Sequence, residues 1–396
     1  MNIKTMRNVD RFLGVPLCWL TGIWVGLADR QRRGSPNELW RTVLVIKFFG
    51  MGSVLLSSPF LSVLREHLPH ARIVFLTFAE NRELLGRIPQ LSTRLTISTA
   101  SLGGFVLDTL RVALFCFRNS VDVVFDLEFF SKFSTFLSAI SGAPVRVGFD
   151  LPTRWRRGNL THLIPLDHEA HVAKVFLKQL EPFGIDTNGS LDRPRLHATS
   201  EERDLMESKL DLRGNASEII CVNINAGPAS LERRWNPERF VELTRELLRR
   251  NEARRFFFIG NRDEREYVGR ALASMPGFPS YIINSAGDLS LGELVALLER
   301  SVLLITNDSG PMHIADAVGT PIVALFGPES PEFYGPIGLA RVIYKALPCS
   351  PCLNMYNAKL FVCPYHARCM HEISTMEVLD AVEELLDSIK VRVGVN

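Results

Sequence analysis

Asn307-Asp308-Ser309-Gly310-Pro311-Met312-His313 places a carboxylate, a hydroxyl, a glycine and an imidazole directly after the apolar run 302–306. Proline just past Gly310 suits the first turn of a helix. A helix start presents free amides and the positive end of the helix dipole, which together hold anions. Asp308, Ser309, Gly310 and His313 are therefore candidates for gripping a phosphate or diphosphate; plain capping of the helix by Asp308 or Ser309 is the alternative. A second loop, from Asn225-Ala226-Gly227 to Arg233-Arg234-Trp235, follows the apolar run 219–225. The Arg233 guanidinium could neutralise a leaving diphosphate with its fork of donors, and Gly227 lets the backbone come close. A solvated basic loop would look the same. In Gly260-Asn261-Arg262-Asp263-Glu264, the Glu264 carboxylate could accept hydrogen bonds from ribose hydroxyls, although acidic residues suit any helix start.

Nearer the N-terminus, Phe48-Phe49-Gly50-Met51-Gly52-Ser53 follows the run 42–48. Gly50 and Gly52 allow close approach of a ligand to backbone amides. A dinucleotide fingerprint would need a further glycine at position 55, which is leucine, so nicotinamide cofactors are not expected. Cys349, Cys352, Cys363 and Cys369 cluster near the C-terminus. The first pair has zinc-ligand spacing and the second is wider than usual, so free thiols compete with a structural zinc. Lys132, Arg146 and Arg154 are candidates for anionic acceptor groups, against solvated surface.

The elements that must position these loops alternate. Apolar runs at 42–48, 72–78, 121–127 and 145–149 read as strands, with helices at 53–67 (bent at Pro59), 130–140 and 171–183. Residues 186–215 read as a linker. Strands then recur at 219–225, 255–259, 302–306 and 321–326. Between them, Asn236-Pro237 opens a helix to about 250, and Ser290 with Glu293 forms a capping box. Ser374 with Glu377 opens a final helix. This is an α/β chain of two Rossmann-like domains facing an inter-domain cleft, with chemistry on the loops beyond the strands' carboxyl ends. Its expected divisions are 1–41, an amphipathic segment; 42–190, the first domain; 215–373, the second; and 374–396, the C-terminal helix.

The length of 396 residues suits two domains, and a net charge of +2 calls for no nucleic-acid partner. Residues 1–41 differ, with seven Lys/Arg against three Asp/Glu around the uncharged stretch 12–28. That stretch is short and glycine-interrupted for a membrane span and lacks a signal-peptide cleavage site. It reads either as an interfacial helix on an anionic membrane or as a helix docked on the protein itself.

Taken in order, the loops resemble glycosyltransferase family 9, the lipopolysaccharide heptosyltransferases. The segments that carry the resemblance are Val43-Leu44-Val45-Ile46-Lys47 with Gly50-Met51-Gly52, then Arg233-Arg234-Trp235, then 307–313 with 319–328. The resemblance implies a GT-B fold, an acceptor domain followed by a donor domain, an ADP-heptose donor and a lipid-linked glycan acceptor. It also implies inversion at the anomeric carbon without a metal or other cofactor. Apart from the resemblance, the lack of an export signal leads to the expectation of reduced thiols and an enzyme of the cytoplasm, peripheral to the inner membrane if the 12–28 stretch is the interfacial helix. Within the resemblance Asp308, Ser309, Gly310 and His313 hold the diphosphate and sugar, Arg233 stands where the family has a phosphate-binding lysine, and Glu264 meets the ribose. Many members have a basic aspartate where this chain has Ser53, and an unassisted serine is a poor base near neutral pH. Asp126 and Glu128, at the end of the 121–127 run, are the substitute candidates. Two other readings remain: a nucleotide-sugar epimerase, which needs no acceptor, and a sugar-nucleotide binder without turnover.

Overall fold

The computed structural model describes residues 14–28, 40–151, 154–187, 189, 191–213, 218–227, 230–274, 281–354, 357 and 361–393. The chain divides into two compact units, Met1–Asp192 and Arg193–Asn396. In the first, the elements run α1 (Gly14–Ala28), β1 (Thr42–Ile46), α2 (Met51–Leu55), α3 (Ser58–His67), β2 (Arg72–Phe78), α4 (Arg82–Gly86), β3 (Thr93–Ile97), α5 (Leu102–Asn119), β4 (Val123–Asp126), α6 (Lys132–Ile140), β5 (Val145–Asp150), α7 (Arg154–Arg157), β6 (His162–Pro165) and α8 (Val172–Leu177). In the second they run α9 (Ser200–Lys209), β7 (Ile219–Asn223), α10 (Pro237–Arg250), β8 (Arg255–Phe258), α11 (Arg265–Ala273), β9 (Ile282–Asn284), α12 (Leu291–Arg300), β10 (Leu303–Asn307), α13 (Gly310–Val318), β11 (Ile322–Phe326), α14 (Pro331–Tyr334), β12 (Ala340–Tyr344), α15 (Arg368–His371) and α16 (Thr375–Val393).

Each unit holds one six-stranded parallel sheet. The first has the order β3-β2-β1-β4-β5-β6, and the second, from its other edge, β9-β8-β7-β10-β11-β12. The two orders are the same, and both are those of a doubly wound nucleotide-binding sheet. All strands run parallel, but the order in which successive strands are added switches sides at the β1–β4 pair, where Val43 faces Val123, and at the β7–β10 pair, where Ile220 faces Leu303. Loops after these four strands therefore diverge around a crevice in each unit, and all the candidate loops but the one after β8 belong to them. The central strands β1, β7, β10 and β11 are buried along their whole length, because helices cover both faces of a parallel sheet.

Several local expectations need correction. The helix expected over 53–67 is two helices, α2 and α3. Pro59 lies in the first turn of α3, where it has no amide to donate, and the Ser57 hydroxyl donates to the Val54 carbonyl at 2.6 Å. The helix expected over 171–183 shortens to α8 and a 3-10 turn at Glu181–Phe183. The stretch read as a linker contains α9, which starts at a capping box: Thr199 Oγ1 accepts from the Glu202 amide at 3.2 Å and Glu202 Oε2 accepts from the Thr199 amide at 2.8 Å. An ion pair between Arg203 and Glu299 at 2.9 Å ties α9 to α12. The boxes expected at Ser290 and at Ser374 are formed.

Residues 1–13 and 29–39 of the expected N-terminal segment lie outside the described residues. The rest, α1, is docked on its own unit: Cys18 and Val25 are buried, and the Cys18 thiol donates to the Lys132 carbonyl of α6 at 3.4 Å. At the other end α16 buries Val378, Leu379, Val382 and Leu385 in the core of the second unit, beside Trp235 and Phe240.

Candidate functional site

In the second unit the loops after β7 and β10 are knitted together by asparagines. The Asn223 amide donates to Ser309 Oγ at 2.7 Å and to Thr306 Oγ1 at 3.0 Å. Asn307 donates to the Ile224 carbonyl at 3.0 Å and accepts from the Trp235 amide at 3.0 Å. Trp235 is fully buried, its indole N–H donating to the Ile373 carbonyl at 2.9 Å. The aromatic residue of the Arg-Arg-Trp motif is thus the anchor that aims the two arginines before it.

Arg233 Nη1 donates to Asp308 Oδ2 at 3.0 Å, with both side chains largely buried. Burial opposes the Arg233 charge, but Asp308 and Glu329 outweigh it and hold the pKa above its ordinary value. The structure leaves donors over. The buried Nε–H groups of Arg233 and Arg234 have no hydrogen-bond partner, and neither has Asn225 Oδ1. Buried polar atoms are nearly always paired, so two spare guanidinium donors in one loop are candidates to receive an anion. The Gly227 position stays open for the same fork: a Cβ there would stand 3.4 Å from Arg233 Nη2.

Ser309 occupies the N-cap position of α13 without capping it, since its hydroxyl faces Asn223 and donates to the Asn307 carbonyl at 3.1 Å. Asp308 does not cap it either. Pro311 has no amide hydrogen and the Met312 amide donates to the Ser309 carbonyl at 3.2 Å, so the Gly310 amide is the one this turn keeps for another acceptor, as an anion-binding helix start requires. His313 is buried on the same helix. Ordinary capping, the rival reading of this motif, is not what forms.

Glu264 is different. Its Oε2 accepts from the Asn261 amide at 2.8 Å while Asn261 Oδ1 accepts from the Glu264 amide at 3.1 Å, the reciprocal box of a helix start. Burial raises its pKa, and the Arg234 charge partly offsets this. Gly260 lies between Glu264 and the β7 loop: a Cβ there would meet Asn225 Nδ2 at 2.7 Å and Glu264 Oε2 at 3.1 Å. Gly260→Ala is expected to cost about 1–3 kcal/mol of stability in urea unfolding, because neither neighbour can retreat without breaking its own bonds.

Glu329, beyond β11, went unnoticed in the sequence. Partly buried, it is pushed up to about 8, first by burial and then by the Asp308 charge, with Arg233 pulling the other way. Nor were Asn223, Asn225 and Asn307 singled out as structural ties; asparagine at the ends of two adjoining buried strands was the available signal.

In the first unit, Gly50 takes φ +82, a left-handed conformation suited to glycine, at the turn into α2. Gly52 is buried and Ser53 half-buried in that helix. No hydrogen bond joins Ser53 Oγ to a carboxylate or imidazole among the described residues. Glu128 ties this loop to the one after β4: its Oε1 accepts from Lys47 Nζ at 2.9 Å and from the amides of Phe48 and Phe49 at 2.7 and 3.0 Å. Asp126 has no exposed surface. It accepts from Arg156 Nη2 at 2.8 Å, from the Ser134 hydroxyl at 2.9 Å and from the Glu128 amide at 3.0 Å. Burial pushes its carboxyl up to about 6, and Arg156 opposes the rise. The two proposed substitute bases are therefore neighbours, but both are engaged in holding loops. Arg146 is also buried, donating to the Asn159 carbonyl at 2.8 Å, and does not face an acceptor as a solvated cation would.

The four C-terminal cysteines are free thiols lying near one another. Burial, then the proximity of Cys363, Cys369 and Cys349, pushes Cys352 up to about 11. Cys369 packs into the second unit's core, and a Cβ on Gly327 would stand 3.1 Å from its sulfur. Among the described residues no group of three or more His, Cys, Asp or Glu is arranged to hold a metal ion.

Comparison with known proteins agrees with this arrangement. The glycosyltransferase family 9 (heptosyltransferase) profile matches residues 117–360. Lipopolysaccharide heptosyltransferase 2 of Salmonella typhimurium is 28% identical over 309 residues, covering 76% of this chain and 87% of that protein. The crystal structure of a family 9 glycosyl transferase from Veillonella parvula superposes with a TM-score of 0.73 at 26% identity, over 88% of this chain and 97% of the other. The ADP-heptose lipopolysaccharide heptosyltransferase II of Escherichia coli shares the fold, with a TM-score of 0.70 at 23% identity over 88% and 99% of the two chains. Two Rossmann-like units with these neighbours make up the GT-B fold. The match spans well over half the sequence and includes both the Arg-Arg-Trp loop and the open start of α13, so the chain belongs to glycosyltransferase family 9, the heptosyltransferases.

Proposed function

We propose that this protein transfers a heptose from ADP-heptose to a lipopolysaccharide-core or related surface-glycan acceptor, with inversion and without a metal ion. One observation carries the reading: the spare buried donors of Arg233 and Arg234 stand in the loop that Asn307 and Trp235 pin beside the uncapped start of α13. In this reading the second unit binds the donor and the first the acceptor. Charge grows on the diphosphate as the sugar leaves, and Arg233 with the amides at Ser309 and Gly310 stabilises it. The guanidinium supplies the positive charge a metal would otherwise bring. Asp308 orients Arg233, His313 lies toward the sugar, and Glu264 keeps one oxygen for the ribose. With Asp126 locked by Arg156 and Glu128 Oε1 occupied, we assign neither the acceptor's proton, and the rate enhancement rests on the leaving group. The names of the relatives support the donor and acceptor classes.

The reading places the enzyme in the cytoplasm, peripheral to the membrane that holds its acceptor; among the described residues no helix is long and apolar enough to cross a membrane. The test is ADP release from ADP-heptose with truncated lipopolysaccharide cores, with and without EDTA, and the anomeric configuration of the product read by NMR. Release that requires the acceptor, persists in EDTA and inverts the centre is expected. A sugar altered by the enzyme with no acceptor present would make it an epimerase, and binding without release a non-catalytic binder.

Glu329 adds a pH dependence. Below about 8 its carboxyl is neutral, and Asp308 is the one carboxylate that offsets Arg233. Above that pH a second carboxylate repels the anion. ADP affinity is therefore expected to fall as pH rises through about 8, and Glu329→Gln to flatten that fall in calorimetric titrations at several pH values.

A further inference from the structure

Helix α5 is apolar on two sides. Side chains advance by about 100° per residue. Val112 and Cys116 face the core, and Phe105 packs on Phe133 of α6 with ring centroids 4.8 Å apart. Leu102, Val106, Leu110, Leu114 and Phe117 recur every three or four positions on the arc turned away from that core, and are 46% to 82% exposed. A surface helix ordinarily places its charged residues there. On α5, Arg111 and Arg118 lie along one margin of the stripe, both exposed, while its single acidic residue, Asp108, accepts from the Ser98 amide and from Arg111, each at 2.9 Å.

Helix α1 repeats the pattern. It carries no charged residue, and opposite its docked side Trp19, Leu20, Ile23 and Trp24 are 52% to 65% exposed. At 15 residues it is shorter than the roughly 20 that a span needs. Both α1 and α5 pack against α6, so the two apolar faces belong to one helical layer of the first unit.

We propose that this layer, with the outward stripe of α5 at its centre and α1 beside it, seats the first unit on an anionic lipid bilayer. The inference rests on the reading that the acceptor is lipid-linked, and extends it to a helix within the first unit itself. Interfacial helices bind by burying an apolar face and drawing anionic headgroups to basic margins, and tryptophan favours the headgroup level. Charge decides for lipid over a second copy of the chain, which would bring arginines of the same sign to the contact.

The test is co-sedimentation of the full chain with phosphatidylcholine vesicles, with and without phosphatidylglycerol. The wild type is expected to pellet with the phosphatidylglycerol vesicles. Leu110→Glu with Phe117→Glu is expected to partition at least about tenfold less, keeping its melting temperature and its turnover on a water-soluble core oligosaccharide. Leu102→Ser with Leu114→Ser, a milder pair, is read the same way should the first fail to fold. Wild-type protein left in the supernatant, a variant that pellets like wild type, or a dimer that the variant dissociates without any vesicle binding would each overturn the inference. Absence of turnover on the soluble acceptor would count against the transferase reading alone and leave the vesicle result standing.

Discussion

Arg233→Met is expected to lower kcat for ADP release about a hundredfold to a thousandfold. Removing one preorganised donor from a developing anion costs about 3–4 kcal/mol of barrier at comparable sites. Arg233 is such a donor, held at 3.0 Å from Asp308 and left with a buried Nε–H for a ligand. The same substitution strands the Asp308 carboxylate, which is 4% exposed, and should cost about 1–3 kcal/mol of stability as well. The double variant Arg233→Met with Asp308→Asn separates the two effects: stability returns once the lone charge is gone, but turnover does not. Arg233→Lys keeps the charge and loses the fork, so turnover between the two is expected. Steady-state kinetics beside thermal melts decide the matter. A folded Arg233→Met protein within threefold of wild-type kcat would remove Arg233 from the chemistry.

The largest effect on stability is expected at Arg156, buried in the first unit. Its Nη2 meets Asp126 at 2.8 Å and the Glu128 carbonyl at 2.7 Å, and its Nη1 meets the Phe129 carbonyl at 2.6 Å; neither Arg156 nor Asp126 has exposed surface. Breaking a buried pair from one side leaves the other charge unpaired and costs about 3–5 kcal/mol. Arg156→Met and Asp126→Asn should both show this in urea unfolding. They also judge the base. Were Asp126 to take the acceptor's proton, kcat per folded molecule would drop about 10²–10⁴-fold in Asp126→Asn. We expect a change of a few-fold, since no acceptor hydroxyl can reach a carboxylate enclosed by Arg156, Ser134 and the Glu128 amide.

Strands and helix starts were legible to very different degrees in the sequence, and the sheet explains why. The eight strands read as apolar runs are the four inner ones of each sheet: β2, β1, β4 and β5 in the first and β8, β7, β10 and β11 in the second. The four unseen strands, β3, β6, β9 and β12, are the sheet edges. An inner strand is covered on both faces and must be apolar throughout, whereas an edge strand is half-exposed and takes its identity from the neighbour it pairs with. Capping at Asn236, Ser290 and Ser374 was readable because both partners lie within three residues of each other.

What the amino-acid order determined alone is thus the local part: inner strands, helix starts, and the loops that follow strand ends and carry Asp308, Ser309 and Arg233. What only tertiary structure decided is which of those polar groups remain available. Asp126 looked like a base until Arg156, 30 residues away, enclosed it, and Glu128 until the Lys47–Phe49 loop took its oxygen. Glu329 came beside Asp308, and the asparagine ties formed, only when β7, β10 and β11 lay side by side. The reason is physical. A backbone conformation answers to its near neighbours in the chain, but a buried charge or hydrogen-bonding group answers to whatever shares its low-dielectric surroundings, and those partners are distant in sequence.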